Sequence, residues 1–102
     1  VEKLFVYGTL REPAVQLRVI GRLIAGVPDS LQGFRKTEVR FPSGTYPMLR
    51  RAADTVVDGL VLEVNAAELE RIDHYETRAY QRVRVTLVSG SSAWVYCAPE
   101  TD

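Results

Sequence analysis

Asp73 and Glu76 are two carboxylates standing where a helix would bury them. At about 100° per residue, Leu69, Ile72, Asp73 and Glu76 fall on one stripe, the i, i+3, i+4, i+7 spacing of a core-facing side. Glu70, Arg71 and His74 point elsewhere, so the same helix has a wet face on which its charges could have been placed. A carboxylate in an apolar stripe is costly unless it is hydrogen-bonded, paired or protonated, and burial raises its pKa toward the range of general acid/base work. Structural ion pairs also perturb carboxylates. Either residue can brace a loop or pair with an arginine such as Arg82, and the pattern leaves both readings open. The second place is Tyr7-Gly8-Thr9-Leu10, where an apolar run stops at glycine. Backbone N–H groups freed by such a turn can face an anion or an oxyanion, and glycine lets a ligand approach closely. A tight turn with no ligand is the alternative there. The turn lacks the Gly-Lys-Ser/Thr ending of a phosphate loop, which disfavours nucleotide hydrolysis.

Other chemistries fail by count. One histidine and one cysteine cannot supply a typical structural zinc site, and His74 on the outer helix face is poorly placed to activate a nucleophile. Cys97 lies among alternating apolar residues and reads as packing; alone it makes no internal disulfide, which fits a reducing compartment. Thirteen basic and thirteen acidic residues cancel, so no field points to nucleic acid or an anionic membrane, and the expected partner is a small molecule or another protein. No apolar run approaches the roughly 20 residues of a membrane span. No targeting leader is visible, so the expected location is cytoplasmic. With 102 residues and 46% of them hydrophobic, the chain suits one core and one domain, residues 1–102.

The elements that must position these residues follow from local pattern. Leu4-Phe5-Val6-Tyr7, apolar on both faces, predicts a central first strand. Pro13 opens a short helix through Val15, Val19 and Ile20, with Gly21 as its stop. Brief strands are expected near Leu23 and from Phe34 to Arg40, with a loop at Phe41-Pro42-Ser43-Gly44 leading into Tyr46-Pro47-Met48-Leu49. Val56 to Val64 reads as one strand with a bulge or bend at Asp58-Gly59. Asn65 caps a second helix, with Glu68 placed for a capping box, running to Tyr75 or Glu76. Gln81–Val88 and Ala93–Ala98 read as a hairpin around Ser89-Gly90-Ser91-Ser92, with Val83, Val85 and Leu87 on one face and Arg82, Arg84 and Thr86 on the other.

Val6-Tyr7-Gly8-Thr9-Leu10-Arg11 together with Ile72-Asp73-His74-Tyr75-Glu76, Tyr80 and Arg82 resembles the γ-glutamyl cyclotransferase-like family, in particular its γ-glutamylamine cyclotransferase and AIG2-like branch. Tyr46-Pro47, Gly59 and Trp94-Val95-Tyr96 also look like that family, so the resemblance covers nearly the whole chain. It implies an α+β fold, a small mixed β-barrel flanked by two short helices. It implies Glu76 as catalytic acid/base and Tyr7, Gly8, Thr9 and Leu10 as the binders of a γ-glutamyl group, with Tyr80, Arg82 and Tyr96 as further substrate-binding residues of the cavity. Thr9-Leu10 matches the γ-glutamylamine branch better than the Ser-Asn of glutathione-directed relatives. The implied reaction cyclises a γ-glutamyl amine to 5-oxoproline and releases the amine, with no metal and no cofactor. A binding domain on the same fold and a hydrolase using Glu76 to activate water stay open beside it. The identity of the amine and the oligomeric state are not legible.

Overall fold

The computed structural model describes residues 1–99, Arg78 by its backbone alone. Five strands, β1 (Glu2–Val6), β2 (Val27–Phe41), β3 (Gly44–Val64), β4 (Gln81–Thr86) and β5 (Ser92–Cys97), form one sheet in the order β2-β3-β1-β5-β4. All neighbours are antiparallel except β1 and β5, which run parallel and pair at Leu4 and Trp94. The sheet curls into a half-barrel. Its far strands meet where the Val88 N–H donates to the Ser30 carbonyl at 2.9 Å, and the end of β5 is tied to β3 by the Ala98 N–H on the Leu49 carbonyl.

β1 is the central strand, and its alternation explains both cores. Phe5 and Tyr7 point into the curl with Leu31, Phe34, Leu49, Val95 and Cys97, while Leu4 and Val6 face the helices with Leu62, Val64, Leu69 and Ile72. A strand buried on both faces needs apolar residues at every position. Helix α1 (Pro13–Val19) begins with proline and ends before Gly21, whose φ of +93° suits a residue without Cβ. Helix α2 (Ala66–Glu76) is capped as the sequence indicates. The Asn65 side chain accepts from the Glu68 N–H at 2.8 Å, and the Glu68 carboxylate accepts from the Asn65 N–H at 3.0 Å. Glu68 is also gripped by Arg22 at 2.7 Å and is held down at about 2.

Three expectations about strands need correction. No strand forms at Leu23, whose side chain is 58% exposed in the irregular segment after α1. The fragments read at Phe34–Arg40, Tyr46–Leu49 and Val56–Val64 are parts of one long hairpin, β2 and β3, turning at Pro42 and Ser43. The irregularity expected at Asp58-Gly59 lies elsewhere. Gly59 pairs in register with Asp29, whereas the register slips between Gln32 and Phe34, where Gly33 (φ +89°) faces residues 52–55. Gly59 answers to close packing instead, because a Cβ there would run into the Val6 carbonyl and the Phe5 ring.

Candidate active site

The turn after β1 and the end of α2 meet at one cavity of about 420 Å³. β1 delivers Tyr7, then Gly8 leads into a single 3-10 turn, Thr9–Arg11. Gly8 is required by a neighbour: a Cβ on it would stand 2.7 Å from Pro47 Cγ. The turn closes with the Arg11 N–H on the Gly8 carbonyl and the Glu12 N–H on the Thr9 carbonyl, at 3.1 and 2.9 Å. The N–H groups of Gly8, Thr9 and Leu10 precede those bonds and take no part in them. On the other side, Tyr75 and Glu76 form the last turn of α2. The two motifs touch directly, since the hydroxyls of Thr9 and Tyr75 are 3.0 Å apart.

Glu76 lines this cavity. No ion pair or hydrogen bond to a described residue holds its carboxyl. Burial alone pushes it up to about 7. Thr77, which follows it, adopts φ +61° and ψ −167°, a region nearly reserved for glycine that costs about 1–3 kcal/mol. That kink ends the helix at Glu76.

Three tyrosines surround the carboxyl, each with its hydroxyl engaged. Tyr7 donates to the Tyr96 carbonyl, Tyr80 to the Pro47 carbonyl at 2.8 Å and Tyr96 to the Asp73 carboxylate. Burial first, and the Glu76 charge second, raise Tyr7 and push Tyr80 up to about 12; Tyr96 is raised by burial, then by its bond to Asp73. All three stay neutral at physiological pH and line the cavity.

Of the residues singled out from the sequence, Glu76, Tyr7, Gly8, Thr9, Leu10, Tyr80 and Tyr96 line the cavity, and Arg82 does not. Arg82 stands opposite Tyr96 in the β4–β5 ladder. Its guanidinium is captured by Asp73 at 3.2 Å and lies over the Trp94 ring at 4.6 Å. Asp73, on the same helical stripe as Glu76, is therefore a braced carboxylate, while His74 is exposed and Cys97 is buried in the core. Sequence reasoning missed Arg18 and Tyr75, both of which line the cavity. Arg18 lies three residues beyond the buried Val15, a helical spacing that marks the shared side of α1. Tyr75 likewise lies three residues after the buried Ile72 on α2.

The sequence and the fold both have relatives among known proteins. A family model described as gamma-glutamyl cyclotransferase, AIG2-like, matches residues 4–102. The chain is 34% identical to Protein AIG2 C of Arabidopsis thaliana over 85 residues, 82% of this chain and 50% of that protein. It thus spans about half the length of the curated relatives it matches. A solution structure of an Arabidopsis thaliana protein superposes with a TM-score of 0.81 at 30% identity, covering 95% of this chain and 61% of that one. A structure titled gamma-glutamyl cyclotransferase shares the fold with a TM-score of 0.75 at 18% identity, covering 96% of this chain and 66% of that one.

Proposed function

The chain belongs to the AIG2-like γ-glutamyl cyclotransferase family, and from that membership we propose that it converts a γ-glutamyl amine or a small γ-glutamyl conjugate into 5-oxoproline and the free amine. One observation carries the reading. Glu76, the only carboxyl lining the cavity among the described residues and unpaired among them, is raised to about 7 by burial and shares that cavity with Gly8, Thr9 and Leu10, whose N–H groups take no part in the bonds that close the turn.

In the reaction, Glu76 takes a proton from the substrate α-ammonium. The freed nitrogen attacks the γ-carbonyl carbon, forming the ring C–N bond and moving the carbonyl electron pair onto oxygen. The N–H groups of the Gly8 turn stabilise that oxyanion in a site that excludes much of the surrounding water. The oxyanion then collapses as Glu76 gives its proton to the departing nitrogen and the bond to that amine breaks; the attacking nitrogen sheds its second proton to Glu76, which passes it to the released amine, so the ring nitrogen ends as an amide N–H and the amine as its ammonium. A carboxyl near 7 takes and gives a proton at similar cost around neutral pH, as one group serving both transfers requires. Positioning supplies much of the rest, since well-oriented intramolecular attack reaches effective concentrations on the order of 10⁵ to 10⁸ M. The hydroxyls of Tyr7, Tyr80 and Tyr96 already donate to protein acceptors.

Incubation with a panel of γ-glutamyl amines and peptides, followed by product analysis, tests the proposal. 5-Oxoproline is the expected product. Free glutamate would instead make the protein a hydrolase, and no turnover of any member would make it a binding domain on the same fold.

A further inference from the structure

The Gly8 turn is a partition. One side faces the cavity that holds Glu76; the other faces a second, more open concavity of about 430 Å³, which shares Tyr7, Gly8, Thr9 and Pro47 and adds Arg11 and Lys36. We infer that Arg11 and Lys36 are positioning residues, which pin the peptide planes of the turn from behind so that the N–H groups of Gly8 and Thr9 face the substrate. The inference rests on the cyclotransferase reading, in which those N–H groups hold the oxyanion.

Lys36 Nζ donates to the Tyr7 carbonyl at 3.5 Å, a long contact with a full charge behind it. Arg11 Nε donates to the Gly8 carbonyl at 3.2 Å, beside the Arg11 N–H on the same oxygen. The peptide bonds of the described residues are trans, and in a trans peptide the carbonyl and the following N–H point in opposite directions. Drawing the Tyr7 and Gly8 oxygens to the outer side therefore turns the Gly8 and Thr9 N–H groups inward. The Arg11 N–H already orients the Gly8 carbonyl, and the two side chains add to that hold on a glycine peptide that has little intrinsic preference for one orientation. The two cations have no described carboxylate partner that would compete for them. A cation on a carbonyl also polarises the peptide and strengthens its N–H as a donor, by about 10–30% per bond. Arg11 is local to the turn, whereas Lys36 arrives from β2, where it pairs with Leu49.

The test compares the parent chain with Lys36→Met and Arg11→Met, which keep an aliphatic stem, and with the conservative Lys36→Arg and Arg11→Lys. Deleting one oxyanion donor costs about 10²- to 10³-fold in kcat. Loosening and depolarising donors that remain should cost less, about 10-fold per Met variant. KM should barely move, the pH midpoint set by Glu76 should stay in place, and the conservative variants should recover most of the rate. In the unliganded protein the amide proton resonances of Gly8 and Thr9 should shift upfield in the Met variants, a signature that a remote packing role would not produce. Parent-level kcat in both Met variants overturns the inference, as does a loss of rate with those amides unmoved. A parent chain that makes no 5-oxoproline refutes the reading in the preceding subsection, and the amide resonances then decide the inference by themselves.

Discussion

Replacing Glu76 with Gln should make the protein more stable at pH 8 while removing its turnover. Burial raises the Glu76 carboxyl from 4.5 to about 7, so between those values the folded chain holds a proton that the unfolded chain has released. Stability contributed at this position is therefore full below pH 4.5, falls as pH rises through the window, and is flat above 7. A difference of 7 − 4.5 = 2.5 units, at 1.36 kcal/mol per unit, sets the penalty of the ionised carboxylate at about 3 kcal/mol. This is an upper bound, because the Gln amide also needs polar partners. Urea denaturation of parent and Glu76→Gln at pH 4.5, 6 and 8 measures it. The two proteins should agree at pH 4.5 and separate progressively, with the variant more stable by up to about 3 kcal/mol at pH 8. Glu68, held at about 2, adds slope only near pH 4.5, where its unfolded carboxyl titrates, and is common to both proteins. Turnover should fall by about 10²- to 10⁴-fold, and in the parent kcat/KM should rise with pH through a midpoint near 7 as the base ionises. A variant that is less stable at pH 8 would refute the reasoning, since Glu76 would then be a structural carboxylate held by a favourable partner.

Further changes test the supports of the site. Gly8→Ala should destabilise the fold by about 1–3 kcal/mol through overpacking on Pro47, and Pro47→Ala in the same chain should recover part of that loss in chemical denaturation. Tyr96→Phe, which removes the hydroxyl that donates to Asp73, should cost about 1–2 kcal/mol; Arg82→Ala, which breaks a partly exposed ion pair, should cost less than about 1 kcal/mol. Asn65→Ala, which removes the side-chain half of the capping box, should cost about 1 kcal/mol by thermal melting, with the cavity and the pH midpoint unchanged.

The parts of the fold that sequence reasoning reads well are those whose pattern is enforced locally. Helix α2 was legible because a cap at Asn65 and a 3.6-residue period act within a few turns, and β1 because burial on both faces demands an unbroken apolar run. The β2–β3 hairpin was legible only in pieces. Arg35, Lys36, Arg40, Arg50 and Arg51 interrupt its apolar alternation, and Gly33, Pro42 and Gly44 look like stops. Cross-strand pairing, with Gly33 accommodated opposite a bulge, carries the strands through those interruptions.

The site divides in the same way. Helical phase by itself indicated a Glu76 withdrawn from solvent, and the glycine after an apolar strand indicated a turn at Gly8, whereas Asp73, on the same stripe, keeps 41% of its side chain exposed. The different fates of the two carboxylates were decided only in three dimensions. Asp73 meets Tyr96 and Arg82, which β4–β5 register sets opposite one another, and becomes a brace. Glu76, three residues on, stands in a cavity walled by Tyr7, Tyr80 and Pro47 and finds no partner among the described residues. Periodicity specifies which way a side chain points, but the charge state of a carboxyl depends on the atoms that meet it there. Those atoms come from strands whose register is set by the closure of the whole sheet.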